Sequence, residues 1–173
     1  MGRRCAELKR SRASRDSSGL TTIRSFTSLV ICVAVLVGGA VFVRSVPAAP
    51  TSPAAKASVA VGKSSYGPIL FDGRGFALYA FTRDPRGKAT CKGECAKKWP
   101  PYFVSGRPAA GRGAKASLLG TTRRSDGKLQ ATYAGRPLYY YDGDKAPGIV
   151  LCQDVEEFGG TWLVLRGSGK LVR

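Results

Sequence analysis

The chain has 173 residues with 28 Lys or Arg, 11 Asp or Glu and no histidine, which gives a formal net charge of +17. The absence of histidine excludes Ser-His-Asp and Cys-His catalysis and histidine-ligated zinc, and the single methionine, Met1, excludes His/Met haem ligation. No Gly-rich loop precedes a helix, which excludes the common nucleotide-binding fingerprints. We therefore predict a protein that is not an enzyme and that holds neither a metal nor another cofactor.

The N-terminal part of the chain has the pattern of a membrane-targeting segment. Residues 1–25 form a polar, basic tail, and residues 26–43 form an apolar run without a charge. Eighteen helical residues rise about 27 Å, close to the thickness of the hydrocarbon core of a bilayer. Positive charge before the run predicts a cytoplasmic tail and one transmembrane or signal helix, with the rest of the chain outside the cytoplasm.

Two fates of this segment are compatible with its sequence. Small residues around Ala48 permit signal-peptide cleavage there, which would release a secreted protein. The apolar run is longer than the usual signal-peptide core of about 7–15 residues, and Arg44 follows it directly, which favours an uncleaved membrane anchor. Residues 44–58 are rich in Pro and Ala and predict an extended linker.

Residues 59–173 have the pattern of a small all-β domain. Short runs of β-branched and aromatic residues alternate with Gly-containing turns, and no long helical periodicity is present. The predicted elements are a hairpin (69–81), a helical turn (within 91–99), a flexible basic connection (105–117), a three-stranded meander (119–141), and a strand (161–166) followed by a short C-terminal strand.

One motif occurs twice in this domain. Each copy has a glycine, a Leu-Tyr pair, a second aromatic residue and an aspartate, followed by a cysteine and a tryptophan. The first copy contains Gly75, Leu78, Tyr79, Phe81, Asp84, Cys91 and Trp99, and the second contains Gly135, Leu138, Tyr139, Tyr141, Asp144, Cys152 and Trp162. We therefore predict two related short-strand β-meander repeats, covering about residues 65–104 and 118–166.

The aromatic residues of the motif allow two interpretations. Residues two apart on a strand point to the same face, so the tyrosine and the second aromatic residue of each copy lie together. In the structural interpretation they fill a core and the aspartates fix the following turns. Aromatic residues at period two are ordinarily core, which favours this interpretation. The functional alternative is a ligand-binding groove for a sugar, a peptide or a cation, lined by Tyr79, Phe81, Asp84, Tyr139, Tyr141 and Asp144.

Basic side chains dominate the region between the two copies. Residues 59–173 contain nineteen Lys and Arg against nine Asp and Glu, and residues 95–125 contain seven basic residues and no acidic one. Such a surface attracts polyanions such as wall polymers or anionic lipid, and charge alone predicts no specific nucleic acid. The alternative is that these charges only keep the region soluble. The predicted polyanion contacts are Lys97, Lys98, Arg107, Arg112, Arg123 and Arg124.

The five cysteines divide by predicted compartment. Cys5 falls in the cytoplasmic tail and Cys32 in the apolar run, which leaves Cys91, Cys95 and Cys152 in an oxidising environment. Cys91–Cys95 is the simplest disulfide and leaves Cys152 as a free thiol; alternatively, Cys152 pairs across the copies and frees Cys95. A free thiol permits a redox role, but the Cys-x-x-x-Cys spacing lacks a thioredoxin-like context and favours a structural bridge.

The repeated motif resembles that of a family of bacterial secreted-repeat proteins and predicted lipoproteins, defined by Tyr-x-(Phe/Trp/Tyr)-x-x-Asp. Residues 79–84 and 139–144 match it, and residues 91–101 and 158–162 resemble the family's cysteine-containing loop and C-terminal signature. The resemblance implies export and a small β-rich repeat domain, and it implies no biochemical role. The lipidation cysteine of the lipoprotein members is missing, because Ile31 stands before the membrane cysteine where a small residue is expected.

Together these patterns predict a membrane-tethered, extracytoplasmic binding or structural module of a bacterial cell envelope. Its basic residues are expected to contact anionic wall polymer or lipid. The alternative function, from a different class, is that of an extracytoplasmic thiol/disulfide redox partner.

Overall fold

The computed structural model of the protein describes residues 57–173. The predicted tail (1–25), apolar segment (26–43) and nearly all of the linker (44–58) lie outside the described residues. Between residues 57 and 173, no helix is long and apolar enough to cross a membrane.

The part of the chain that the structure describes consists of short strands joined by turns, with very little helix. Helix α1 covers Glu94–Lys98, and a 3-10 helix covers Ala116–Leu118. The predicted all-β class is therefore confirmed for these residues. In chain order the strands are β1 (Ser58–Gly62), β2 (Ile69–Asp72), β3 (Tyr79–Phe81), β4 (Ala109–Ala110), β5 (Leu119–Arg123), β6 (Leu129–Tyr133), β7 (Arg136–Pro137), β8 (Val155–Glu157) and β9 (Gly160–Val164).

These strands form three three-stranded sheets. The first has the order β2-β1-β4, with β1 antiparallel to β2 and parallel to β4. The second has the order β3-β9-β8 and the third β5-β6-β7, and both are antiparallel. Strand β3 carries the motif of the first repeat, whereas β8 and β9 come from the second. The second sheet therefore joins the two repeats by backbone hydrogen bonds.

The predicted first hairpin is present, but its two arms soon separate. The N–H of Gly75 donates to the carbonyl of Asp72 (3.0 Å) in the turn, and Phe71 and Ala77 form an isolated bridge beyond it. Strand β2 then pairs with β1, while β3 pairs with β9. All four residues of β2 are buried, so β2 packs on both faces and not as an exposed two-stranded ribbon.

The predicted meander is confirmed for its first two strands. Strands β5 and β6 pair from Leu119↔Tyr133 to Arg123↔Leu129. The third strand is shorter than predicted, because β7 has two residues and the chain then leaves the meander. The next residues pair with the first repeat through Tyr139, which forms bridges with Tyr79 and Pro101.

The basic connection, predicted to be flexible, contains regular structure. Strand β4 lies in it and pairs with β1, and the N–H of Gly111 donates to the carbonyl of Val59 (2.8 Å). A guanidinium nitrogen of Arg107 donates to the carbonyl of Ala116 (2.7 Å). The connection is therefore more regular than a loop, because the free edge of β1 supplies hydrogen-bond partners that the local sequence does not reveal. Its flexibility stays a prediction.

The remaining local predictions agree with the structure in kind and differ in length. The helical turn is α1, and the strand predicted over residues 161–166 is β9. The short C-terminal strand is reduced to an isolated bridge between Leu165 and Leu171.

Buried apolar side chains form two clusters. One contains Tyr79 and Phe81 together with the corresponding aromatic residues of the second repeat and both tryptophans. The other contains Leu78, Ala80 and Leu138. Neighbouring motif residues thus point to different clusters, which confirms the period-two prediction for β3.

Candidate functional site

The glycine that opens each copy of the motif occupies a turn with left-handed backbone. Gly75 has φ +88° and Gly135 has φ +73°. Residues other than glycine rarely adopt this conformation, because it brings Cβ against the backbone. The glycine lets the backbone of each repeat reverse direction just before the Leu-Tyr pair. This reversal places the tyrosine at the interface between the repeats.

The tyrosine of each repeat donates a hydrogen bond to the aspartate of the other repeat. The hydroxyl of Tyr79 donates to Oδ2 of Asp144 (2.7 Å), and the hydroxyl of Tyr139 donates to Oδ2 of Asp84 (2.6 Å). The backbones of the two tyrosines also exchange N–H···O bonds of 2.9 Å in both directions. We call these two side-chain contacts the reciprocal Tyr–Asp pairs, since each one joins both repeats.

The second oxygen of each aspartate fixes the turn that leads to the cysteine of the motif. Oδ1 of Asp84 accepts from the backbone N–H (2.7 Å) and the hydroxyl (2.6 Å) of Thr90. Oδ1 of Asp144 accepts from the backbone N–H of Leu151 (3.0 Å). Asp84 and Asp144 therefore fix the turns that follow them, as the structural interpretation of the motif predicts.

The two tryptophans stack on each other at the centre of the interface. The ring centroids of Trp99 and Trp162 are 4.0 Å apart and the planes differ by 2°. The other aromatic contacts occur in corresponding pairs: Tyr79 edge-on to Trp99 (5.3 Å) and Tyr139 edge-on to Trp162 (5.1 Å), then Phe81 stacked on Trp162 (4.3 Å) and Tyr141 tilted against Trp99 (4.9 Å). Such ring pairs add about 0.5–1.5 kcal/mol each beyond area burial.

The equivalence of the repeats ends at the indole nitrogens. Nε1 of Trp99 donates to a carboxylate oxygen of Glu157 (2.9 Å). Nε1 of Trp162 is buried and has no hydrogen-bond partner within the described residues. A buried N–H without a partner costs free energy. The indole ring of Trp162 is held by its contacts with the neighbouring rings.

Burial dominates the acid–base properties of the reciprocal Tyr–Asp pairs. It raises the pKa of Tyr79 well above its ordinary value, and the neighbouring Asp144 raises it further. Burial also raises the pKa of Tyr139, with a contribution from its bond to Asp84. Burial raises the pKa of Asp144 to about 6, against the lowering effect of its hydrogen bonds from Tyr79 and from the backbone of Leu151. The two tyrosines therefore remain neutral donors at physiological pH.

The structure brings the six residues of the predicted ligand groove together at the interface of the repeats. None of the six is more than 7% exposed. The hydroxyls of Tyr79 and Tyr139 and both carboxylates are engaged with each other and with the turns. The four rings pack against the tryptophans. This arrangement has the features of the structural interpretation.

The predicted disulfide is present between Cys91 and Cys95. It closes the loop that contains the first turn of α1. Cys152 is fully buried in the aromatic cluster, and it is not a free thiol in the structure. The prediction of a free thiol at this position is therefore wrong.

The six predicted polyanion contacts have different surroundings. Lys97, Arg107, Arg112 and Arg123 are exposed, and Lys98 is half-buried with Nζ 5.3 Å from the ring of Tyr141.

Arg124 is the exception among these six, because its side chain is buried. Its Nη1 donates to Oε1 of Gln130 (2.7 Å) and its Nη2 to the carbonyl of Cys91 (2.5 Å). Its prediction as a surface contact is therefore wrong: the guanidinium joins the two repeats. No local pattern indicates this burial, because burial along β5 does not alternate: Leu119 and Thr122, three positions apart, are both buried.

Sequence reasoning missed a groove on the surface of the domain. We call it the aromatic groove; it has a volume of about 530 Å³. Tyr140 could have indicated this groove from the sequence. It lies between the core residues Tyr139 and Tyr141, so its side chain must point away from the core. Its lining includes Asp72, Arg74, Pro101, Tyr102, Phe103 and Tyr140.

A buried carboxylate organises the wall of the aromatic groove. Oδ1 of Asp72 accepts from the backbone N–H groups of Arg74 and Phe76, both at 2.9 Å. Its Oδ2 accepts from Nε of Arg74 (2.9 Å) and from the hydroxyl of Tyr140 (3.0 Å). Burial raises the pKa of Tyr140, and the nearby Asp72 raises it further. Asp72 thus fixes a cation and an aromatic ring side by side.

Comparison with known proteins places the chain in a family. Neither the comparison with curated proteins nor that with solved structures gave a match. A family model described as a secreted repeat of unknown function matches residues 60–102 and 120–166. These two segments contain the two copies of the motif and the interface that they build. The chain therefore belongs to this family of secreted repeat proteins.

Proposed function

We propose that the chain is an extracytoplasmic module of the cell envelope that binds anionic envelope polymers. Membership of a secreted-repeat family supports a location outside the cytoplasm. The apolar run at residues 26–43, outside the described residues, supports attachment to the membrane.

The observation that carries the proposal is the amount of positive charge in the described residues that has no carboxylate partner there. Residues 57–173 contain nineteen Lys and Arg. Within this part of the chain only Arg74, Lys97 and Lys145 form ion pairs with a carboxylate, at N···O distances of 2.6–2.9 Å. Unpaired cations at a surface favour association with polyanions, at a strength that depends on salt.

Arg136 also lies close enough to Arg86 and Arg173 for their charges to repel its own. Burial lowers the pKa of Arg136, and the nearby charges of Arg86 and Arg173 lower it further. A phosphate or carboxylate group of a polymer would relieve this repulsion. The same reasoning does not select lipid over wall polymer, so the two are separate arms of the test.

The proposal is tested by co-sedimentation of the full chain, purified in detergent, with isolated cell walls and with anionic lipid vesicles. We expect wall binding that falls at least about tenfold between about 0.05 M and 0.5 M salt. The triple variant Arg107→Gln/Arg112→Gln/Arg123→Gln should bind more weakly. The matched variant Arg107→Lys/Arg112→Lys/Arg123→Lys keeps the charge and should bind as the unmodified chain does. Binding that survives molar salt, or its absence, would overturn the proposal.

The redox alternative and the absence of enzymatic activity stay predictions. No observation on the described residues favours a redox role, since Cys91 and Cys95 are bonded to each other and buried.

A further inference from the structure

The aromatic groove exposes a large apolar ring. Phe103 is 43% exposed, and only Phe158 among the large apolar side chains of the described residues is comparably exposed. Nζ of Lys128 lies 5.1 Å from the centre of the Phe103 ring. An exposed ring with a cation beside it suits a ligand that has both an apolar face and a negative charge.

The opposite end of the aromatic groove repeats this combination. The side chain of Arg74 is 70% exposed. Its guanidinium carbon lies 5.7 Å from the ring centre of Tyr140 and 5.1 Å from that of Phe76. Nε of Arg74 is paired with Asp72, which is nearly buried and accepts four hydrogen bonds. The part of this ion pair that the groove exposes is therefore the guanidinium and not the carboxylate.

A second cavity extends the aromatic groove beyond Arg74 and Tyr140. Its volume is about 270 Å³, and it shares these two residues with the first cavity. Its other lining residues include Phe76, Lys145 and two aspartates. Asp142 is exposed and paired with Lys145 (2.9 Å), and Asp144 is buried. Each carboxylate that lines the two neighbouring cavities is engaged within the domain: Asp72 by Arg74, Asp142 by Lys145 and Asp144 by Tyr79. The rings and cations beside them suit consecutive units of a chain-like ligand.

We propose that the aromatic groove binds an acidic glycan, with a sugar ring against Phe103 and a carboxylate or phosphate of the glycan on Arg74. The inference deepens the proposed function and rests on it. A sugar ring has an apolar C–H face that packs on an aromatic ring and a polar edge that accepts hydrogen bonds from a guanidinium. An acyl chain instead requires an enclosed apolar cavity, which these two open cavities with charged lining residues do not provide.

Single-stranded nucleic acid is the competing ligand class, because bases also stack on rings in cationic grooves. The secreted-repeat family favours a polymer found outside the cell. Oligothymidylate is therefore included in the test as a separate arm.

The test measures the affinity of the full chain, in a detergent without a sugar headgroup, for four fluorescent probes. They are an oligogalacturonate (acidic rings), cello-oligosaccharide (neutral rings), polyphosphate (charge without rings) and oligothymidylate. We expect tightest binding to oligogalacturonate, with Kd raised about tenfold by Phe103→Ala and about tenfold by Arg74→Gln.

Two matched variants keep the test specific. Phe158→Ala removes the other exposed phenylalanine, which is 42% exposed, and Lys63→Gln removes an exposed cation that lines neither cavity. We expect neither to raise the Kd for oligogalacturonate more than about twofold. Phe103→Ala should leave the Kd for polyphosphate unchanged, because that polymer has no ring to stack.

The failure of this inference can be told from the failure of the proposed function. Wall binding that depends on salt, together with an unchanged oligogalacturonate Kd in Phe103→Ala, overturns the groove assignment alone. The same holds if the chain binds walls but not oligogalacturonate, if Phe103→Ala weakens polyphosphate equally, or if oligothymidylate binds more tightly. Absence of wall binding overturns both.

Discussion

At the interface of the two repeats, the tyrosine and aspartate of each motif make the same contact, whereas the residues around them do not. The hydroxyl of Tyr79 reaches Asp144 and that of Tyr139 reaches Asp84, at nearly equal distances. By contrast, Nε1 of Trp99 has a carboxylate partner and Nε1 of Trp162 has none.

This difference shows what the motif is for. The five-residue spacing of tyrosine and aspartate lets each side chain contact the other repeat. Neither copy alone can therefore form a Tyr–Asp hydrogen bond of this kind. The copies differ in the partner of the tryptophan nitrogen and at the second aromatic position, where Phe81 corresponds to Tyr141.

The largest expected effect comes from the stacked tryptophans. Trp99→Ala and Trp162→Ala should each lower the free energy of unfolding by about 3–5 kcal/mol, because each opens a cavity in the aromatic cluster. The phenylalanine variants separate the copies: Trp99→Phe leaves Glu157 without its donor, whereas Trp162→Phe removes an unpartnered N–H. Guanidinium unfolding should therefore show a smaller loss for Trp162→Phe; an equal or larger loss would contradict the difference between the copies.

Removal of one tyrosine hydroxyl should cost less. Tyr79→Phe and Tyr139→Phe each leave a buried carboxylate oxygen without its donor, and each should lower the free energy of unfolding by about 1–3 kcal/mol. The two losses should be similar, since the contacts correspond. Tyr66→Phe, which alters a partly buried tyrosine outside the pairs, serves as the control and should change stability by less than about 0.5 kcal/mol.

The pH dependence of stability should identify Asp144. Burial raises its pKa from 3.8 to about 6, so the folded state binds its proton more tightly than the unfolded state does. The contribution of Asp144 to the free energy of unfolding is therefore most favourable below pH 3.8. It declines as the pH rises to about 6 and is constant above that. The decline should be on the order of 2 kcal/mol after allowance for solvent screening.

Urea unfolding at a series of pH values, with Asp144→Asn as the comparison, measures this contribution. The variant cannot ionise at this position and should lose that part of the pH dependence. An identical pH profile in the variant would show that Asp144 does not titrate in this range.

The disulfide should have the smallest effect. Cys91 and Cys95 are separated by four positions, so their bond closes a short loop. Cys91→Ser/Cys95→Ser should lower the free energy of unfolding by about 1–2 kcal/mol. A loss above about 4 kcal/mol would mean that the bond organises more of the fold than its own loop.

Local patterns in the sequence predicted much of this architecture. The alternation of Leu78 and Tyr79 between faces, the short helix and the Cys91–Cys95 bond all follow from spacing over a few residues. Features that depend on distant partners were not predictable in this way. Strand β4 forms because it pairs with the edge of β1. Its two alanines are not β-branched, so the local sequence does not predict a strand there.

The site shows the same division between local and distant information. Arg124 carries a charge and was expected at the surface, but partners in both repeats hold it inside. The aromatic groove unites residues 72–74, 101–103 and 140, which are far apart in the sequence. Only the fold brings them together.

The central claim, that the motif joins the two repeats, is tested most directly by a pair of double-mutant cycles. One cycle combines Tyr79→Phe with Asp144→Asn, a pair from different repeats. The other combines Tyr79→Phe with Asp84→Asn, a pair from the same repeat. Unfolding free energies should give a coupling of about 1 kcal/mol or more for the first cycle and close to zero for the second. Strong coupling within the repeat and none across the repeats would contradict the claim.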